Sequence, residues 1–121
     1  MAVIVVLDDD VETRRALVAQ LERLFPRARV VPAATDASLD RIDVHDTVVL
    51  TGLAVAERIT GRTRDPGLRV VALTPEMGPA TLMKAEAAGV HATLRSPATV
   101  AGLRAVLEPI VGNVTSSGAE D

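Results

Sequence analysis

Three consecutive carboxylates, Asp8-Asp9-Asp10, directly follow the apolar run Ala2–Leu7. Oxygen ligands of this kind suit a hard cation, and Asp8 or Asp9 with a carbonyl and waters would hold a hydrated Mg²⁺ weakly. The competing explanation is a helix N-terminus whose negative side chains favour the helix dipole. Hydroxyls end three later apolar runs, at Thr51, Thr74 and Ser96, and Pro97 follows the last. A hydroxyl is a poor nucleophile unless a base activates it. Neither His45 nor His91 is placed near a strand end to act as that base, and the only lysine is Lys84. Local capping is therefore the plainer role for all three hydroxyls. The chain has no cysteine, which excludes thiolate catalysis, disulfides and sulfur-ligated zinc.

Composition narrows the field further. The 121 residues suffice for one domain with one core. Apolar residues make up 48% and aromatics 1%, so Val, Leu, Ile and Ala must build that core around the single ring of Phe25. A stacking platform for bases or sugars is excluded. Thirteen basic against sixteen acidic residues leave a net charge of -3, the wrong sign for a surface that neutralises phosphates, so no direct nucleic-acid binding is expected. No apolar run reaches membrane-spanning length and no basic leader precedes the first one, so the expectation is a cytoplasmic protein without membrane contact.

The elements that position these residues follow from apolar periodicity. Ala2–Leu7 is apolar throughout and largely β-branched, the pattern of a central strand covered on both faces. Leu17, Val18, Leu21, Leu24 and Phe25 recur at helical spacing, with Glu12, Arg14, Arg15, Glu22 and Arg23 opposite, and Pro26 ends that helix. A second strand over 28–33 contains Pro32, which cannot serve a central ladder and marks an edge. Ser38–Ile42 has room for one or two helical turns. Thr47–Thr51 is a third strand stopping at Gly52, Leu53–Thr60 a short helix ending at Gly61, and Leu68–Leu73 a fourth strand. Pro79–Ala88 is a helix capped by Gly89, and Val90–Leu94 a fifth strand. Ser96-Pro97 opens a last helix as N-cap and first residue, with Val100, Leu103, Val106, Leu107 and Ile110 on one stripe. Pro109 loosens its final turn. Residues 112–121 are small and polar, so a domain over 1–111 and a flexible linker or tail over 112–121 are expected. Strands alternating with helices in this length predict an α/β three-layer sandwich with a parallel sheet and right-handed crossovers.

In such a sheet, ligands gather at the carboxyl ends of the strands. The residues at those ends resemble the receiver domain of bacterial response regulators, over about residues 2–111. Val6-Leu7-Asp8-Asp9-Asp10-Val11-Glu12-Thr13-Arg14 is similar to the family's opening, where an acidic pair holds magnesium. Asp46–Thr51 resembles its third strand, Val70–Thr74 its fourth with the switch hydroxyl, and Gly89–Pro97 its fifth with the following proline. The resemblance implies a flavodoxin-like fold with five parallel strands in the order 2-1-3-4-5. It also implies switch-like positions at Thr74, Thr93, Ser96 and Pro97.

The chain departs from that family at the chemistry. Thr51 stands where the family has the aspartate that accepts the phosphoryl group, and Ser96 where it has a lysine. Thr93 replaces the aromatic switch residue, and the Pro-Gly-Met-Asp-Gly type of loop is missing. Aspartyl phosphorylation needs a carboxylate nucleophile, a divalent cation and a positive group on the phosphoryl oxygens. Two of these are gone, leaving a degenerate pocket of Asp8, Asp9 and Asp10. It requires no cofactor and has only a weak Mg²⁺ site at Asp8 and Asp9.

The expected function is a phosphorylation-independent receiver domain, not an enzyme, that serves as a dimerisation or regulatory module ahead of a DNA-binding output domain. The family commonly dimerises through its fourth helix, fifth strand and fifth helix, which makes Met83, Ala87, Ala101 and Arg104 the interface candidates. A stand-alone adaptor docking on a kinase or other partner is the alternative. A phosphatase of the haloacid-dehalogenase type is a weaker one. Asp8 and Asp10 with Thr51 imitate its motifs, but Glu12 is not the expected Thr or Val, no lysine is near, and the chain is too short.

Overall fold

The computed structural model describes residues 2–35, 37, 39, 46–62 and 67–119, of which 112–119 by their backbone. The β-branched runs form the sheet. Strand β1 (Val3–Leu7) is buried from Ile4 to Leu7, and β3 (Thr47–Gly52) from Thr47 to Thr51. They pair with each other in the centre, flanked by β2 (Arg29–Ala33) on one side and by β4 (Leu68–Thr74) then β5 (Ala92–Arg95) on the other. All pairs are parallel and the order is β2-β1-β3-β4-β5, the flavodoxin-like arrangement expected. Pro32 does lie on an edge strand, where its missing N–H costs the ladder least.

Four helices are present among the described residues: α1 (Val11–Leu24), α2 (Leu53–Arg62), α3 (Pro79–Ala88) and α4 (Val100–Ala119). Side-chain alternation along the strands separates two cores. Ile4, Val6, Val48, Leu50 and Val71 pack with Leu17 and Leu21 of α1 and Leu103, Leu107 and Ile110 of α4. Val5, Leu7, Val49, Val70 and Ala72 pack on the other face with Ala56 and Ile59 of α2. Helix α3 lies beside α2, linked to it by the Lys84–Glu57 ion pair at 3.5 Å, and of its own side chains only Ala85 is buried.

Several boundaries differ from expectation, each for a local reason. The last helix begins at Val100, not at Pro97. Thr99 takes over as cap: its Oγ1 accepts from Gly102 N–H at 3.0 Å and its carbonyl from Leu103 N–H at 2.9 Å. Val100 is consequently 49% exposed and drops out of the stripe, which starts at Leu103. Strand β5 starts at Ala92 because Val90 N–H closes the end of α3 on the Ala85 carbonyl, with Gly89 in the left-handed region at φ 84°.

Helix α4 passes through Pro109 and is helical to Ala119, where the composition of 112–121 predicts an irregular linker or tail. Once Leu103, Leu107, Ile110 and Val111 anchor the helix, each further residue adds a bond at little entropic cost. Pro109 and Ala105, whose carbonyl loses its donor, are both exposed, so water can satisfy the gap. The expected turns at Ser38–Ile42 lie outside the described residues apart from Leu39, which is buried in the second core. No helix among the described residues is long and apolar enough to cross a membrane.

Candidate functional site

Parallel register brings the strand ends level. Leu7 pairs with Ala33 on one side and Thr51 on the other, Thr51 with Ala72, and Ala72 with Thr93. These residues form one row across the sheet, just below the ends at which the candidate residues emerge. β1 and β3 are the strands between which the chain order reverses, the place where doubly wound sheets open a crevice.

The acidic triplet divides at this point. Asp10 is the N-cap of α1: its carboxylate accepts from Thr13 N–H at 3.0 Å and from the Thr13 hydroxyl. Those two bonds, and the charge of Arg14 to a lesser degree, hold its carboxyl below the usual carboxylate range. Asp8, half-buried, turns its Oδ1 back to accept from Asp10 N–H at 2.9 Å, while its carbonyl accepts from Arg14 Nη1 at 2.6 Å. Asp9 is exposed. Asp8 and Asp9 face the crevice and Asp10 serves the helix, so the acidic pocket is a pair rather than a triplet.

That crevice is a cleft of about 320 Å³ whose walls include Asp8, Asp9, Thr35, Thr51, Val55 and Arg58. Thr51 is 1% exposed and its hydroxyl is buried with no hydrogen-bond partner among the described residues. It shares the strand face of Val49, which looks toward α2. Helix α2 opens at Leu53 directly after β3, with no intervening loop, so its first turn stands at the rim.

A second cleft of about 350 Å³ lies on the α1 side of the same edge, between Thr13, Pro75, Ser96 and Pro97, with Asp8 and Gly52 standing between the two. Among the described residues no cationic side chain lines this second cleft; Arg95, the last residue of β5, is exposed and lines neither cleft.

The other predicted positions fall as follows. Thr74 is buried, and its Oγ1 donates to the Glu76 carbonyl at 3.0 Å, a local turn. Thr93 is half-buried within β5. Ser96 N–H donates to the Thr74 carbonyl at 2.8 Å, and the Ser96–Pro97 peptide is cis. Met83 (70% exposed) and Ala87 lie on α3, and Ala101 and Arg104 on α4, all at the surface. His91 is exposed, and His45 lies outside the described residues. Lys84 is bound to Glu57 on the helical layer, away from both clefts.

The magnesium that the resemblance implies finds a reduced donor set. No group of three or more acidic or histidine side chains gathers in a metal-holding arrangement among the described residues. With Asp10 in the cap and Asp8 Oδ1 engaged, Asp8 Oδ2 and Asp9 remain among the carboxylates at the cleft. Such a pair suits only a largely hydrated ion.

Sequence reasoning missed Thr35, Val55 and Arg58 in the cleft wall. The signal was available in part. Val55 and Arg58 are three residues apart on one face of a helix, and a helix starting immediately after Gly52 brings that face to the strand ends. It also missed Arg14, which reaches back across the first turn to the end of β1.

A parallel five-stranded sheet in this order, with its polar residues gathered at the β1–β3 crevice, defines a flavodoxin-like α/β domain. More narrowly, the solved structures of this shape include receiver domains. The signal receiver domain of a DNA-binding response regulator from Colwellia psychrerythraea 34H is similar with a TM-score of 0.75 and 21% identity, covering 93% of this chain and 99% of that one. A protein from Burkholderia thailandensis E264 assigned to pilus assembly (cpaE) is similar with a TM-score of 0.76 and 21% identity, over 93% and 99%. Chemotaxis protein CheY4 of Vibrio cholerae is similar with a TM-score of 0.74 and 17% identity, over 91% and 98%. No protein-family model matches the sequence, and no curated protein matches it.

Proposed function

We propose that this chain is a receiver-like signalling module that works without aspartyl phosphorylation. The observation that carries the reading is Thr51, a buried residue at the end of β3 that lines the crevice together with Asp8 and Asp9. A receiver needs a carboxylate nucleophile there and a cation opposite. Ser96 on the β5 side supplies neither charge nor reach. The module is not an enzyme on this reading, requires no cofactor, and binds Mg²⁺ at most weakly through Asp8 and Asp9. Its signal is carried by association: a homodimer through α3, β5 and α4, whose outward residues include Met83, Ala87, Ala101 and Arg104.

It acts in the cytoplasm, joined to an output domain. A DNA-binding output is supported by the similarity to the Colwellia receiver, and an assembly-protein output by the similarity to the Burkholderia protein. The similarity to the chemotaxis protein CheY4 supports a second reading, a stand-alone adaptor that docks on a partner.

Incubation with Mg²⁺ and acetyl phosphate followed by intact-mass measurement tests the central claim. The expected mass is unchanged. A single added phosphate labile to hydroxylamine would mean that an aspartate in the crevice accepts it and would overturn the reading.

A further inference from the structure

We propose that the cleft between β1, β3 and α2 binds a small zwitterion of the α-amino-acid class, reversibly and without covalent chemistry. The inference rests on the reading of Thr51 as a position that is not phosphorylated, and it names the ligand of that same site. Three observations converge on it. Thr51 lines the cleft, and its buried hydroxyl has no partner among the described residues. Unpartnered buried donors are rare in folded chains, and a ligand is one of the few things that satisfies them. The cleft also lies at the reversal of strand order, and its volume of about 320 Å³ is at the small end of the range for organic ligands. Finally, its walls carry opposite chemistry.

On one wall stand the carboxylates of Asp8 and Asp9. Asp8 keeps an oxygen beyond the one engaged by Asp10 N–H, and Asp9 is solvent-facing, so both can accept from an ammonium group. On the other wall stand the Thr51 hydroxyl, the first turn of α2 and Arg58. Helix N-termini orient N–H groups toward an anion. Arg58 takes part in another interaction of the chain, but a guanidinium has five donors and can serve a carboxylate as well. A simple cation would use the acidic wall and leave the donors facing it unused; a simple anion would be repelled by Asp8 and Asp9. A molecule with an ammonium and a carboxylate on neighbouring atoms satisfies both. The apolar side chains of Leu7 and Val55 leave room for a short aliphatic side chain.

The test is an NMR titration of the intact chain with each proteinogenic L-amino acid. Acetate, methylammonium, inorganic phosphate and MgCl₂ serve as separate probes. The expected result is saturable movement of the Thr51, Gly52 and Asp9 amide signals by at least one amino acid, with an affinity at least about tenfold above acetate or methylammonium. Thr51→Val and Arg58→Met should each weaken that binding by about tenfold or more while the unfolding midpoint is not lowered. Arg58 is exposed, so its variant folds even if Thr51→Val does not.

The proposal is overturned if no amino acid saturates these signals, if MgCl₂ or phosphate alone moves them in the same way, or if Arg58→Met binds as the parent does. Mass measurement after acetyl phosphate separates the two failures. Added phosphate removes the reading on which the inference rests, whereas unchanged mass with no saturable binding removes the inference alone.

Discussion

A buried hydroxyl without a partner gives up its bonds to water and recovers nothing, a cost of about 1–3 kcal/mol. Thr51 carries that cost. Thr51→Val keeps the shape and removes the polar atom, so the variant should be more stable by about 1–3 kcal/mol, read as a higher urea midpoint at unchanged slope. A loss of stability would mean that the hydroxyl is paired in solution. Asp10 differs, because its Oδ2 accepts from both the N–H and the hydroxyl of Thr13. Its folded-state pKa lies below the unfolded one, so its contribution is present above the usual carboxylate range and is lost as pH falls through the depressed value. Asp10→Asn keeps an acceptor for the cap but cannot titrate. It should flatten the acid limb of the stability profile; an acid limb identical to the parent's would place the titrating group elsewhere. Of the two roles open to the acidic triplet, a metal pocket or a helix terminus, Asp10 takes the second and only Asp8 and Asp9 face the cleft. That division depends on which carboxylate meets the N–H of Thr13, a matter of backbone angles at Asp10 that identity alone does not convey.

At the level of elements, the ends of helices carry the consequences. The chain turns from α3 toward β5 at Gly89, whose φ of 84° strains any side-chain-bearing residue although the space around it is open. Gly89→Ala should therefore cost about 1–2 kcal/mol through the backbone alone, measured by thermal or urea unfolding. An unchanged stability would mean that the cap relaxes out of the left-handed region. The glycine stop after Ala88 was readable because it is the last turn's own chemistry. The start of α4 was not, because Ser96-Pro97 and Thr99 both offer a cap, and packing of Leu103 and Leu107 on the sheet decides between them. The absence of a loop between β3 and α2 proves more consequential. It brings Val55 and Arg58 to the strand ends, which no motif within Leu53–Arg62 announces.

For the whole molecule, the question is which surface meets a partner. Ala101 and Arg104 on α4 and Met83 and Ala87 on α3 are exposed, while Leu103 and Leu107 are fully buried. Glutamate at Leu103 would test only folding. Ala101→Glu places a charge on the exposed face and should convert a dimer to a monomer by light scattering, with the melting temperature of the folded unit unchanged within about 2–4 °C, the shift a surface change of ~0.5 kcal/mol produces. A parent chain that is already monomeric, or a variant that stays dimeric, would argue against association through α3, β5 and α4.

The parallel sheet was legible in the chain itself, whereas its strand order followed from the resemblance to receiver domains. Runs of β-branched residues apolar on both faces can be satisfied only inside a parallel sheet, and Pro32 can sit only at its edge. The residue types at the strand ends were legible too, since the apolar runs mark where the strands stop. What tertiary structure alone decided was company. Thr51 lacks a partner among the described residues, Arg14 reaches the end of β1, and Arg58 shares a cleft with Asp8 and Asp9 because parallel register and a loopless turn bring together residues far apart in the chain. Periodicity specifies which face a side chain takes; only packing specifies what it meets there.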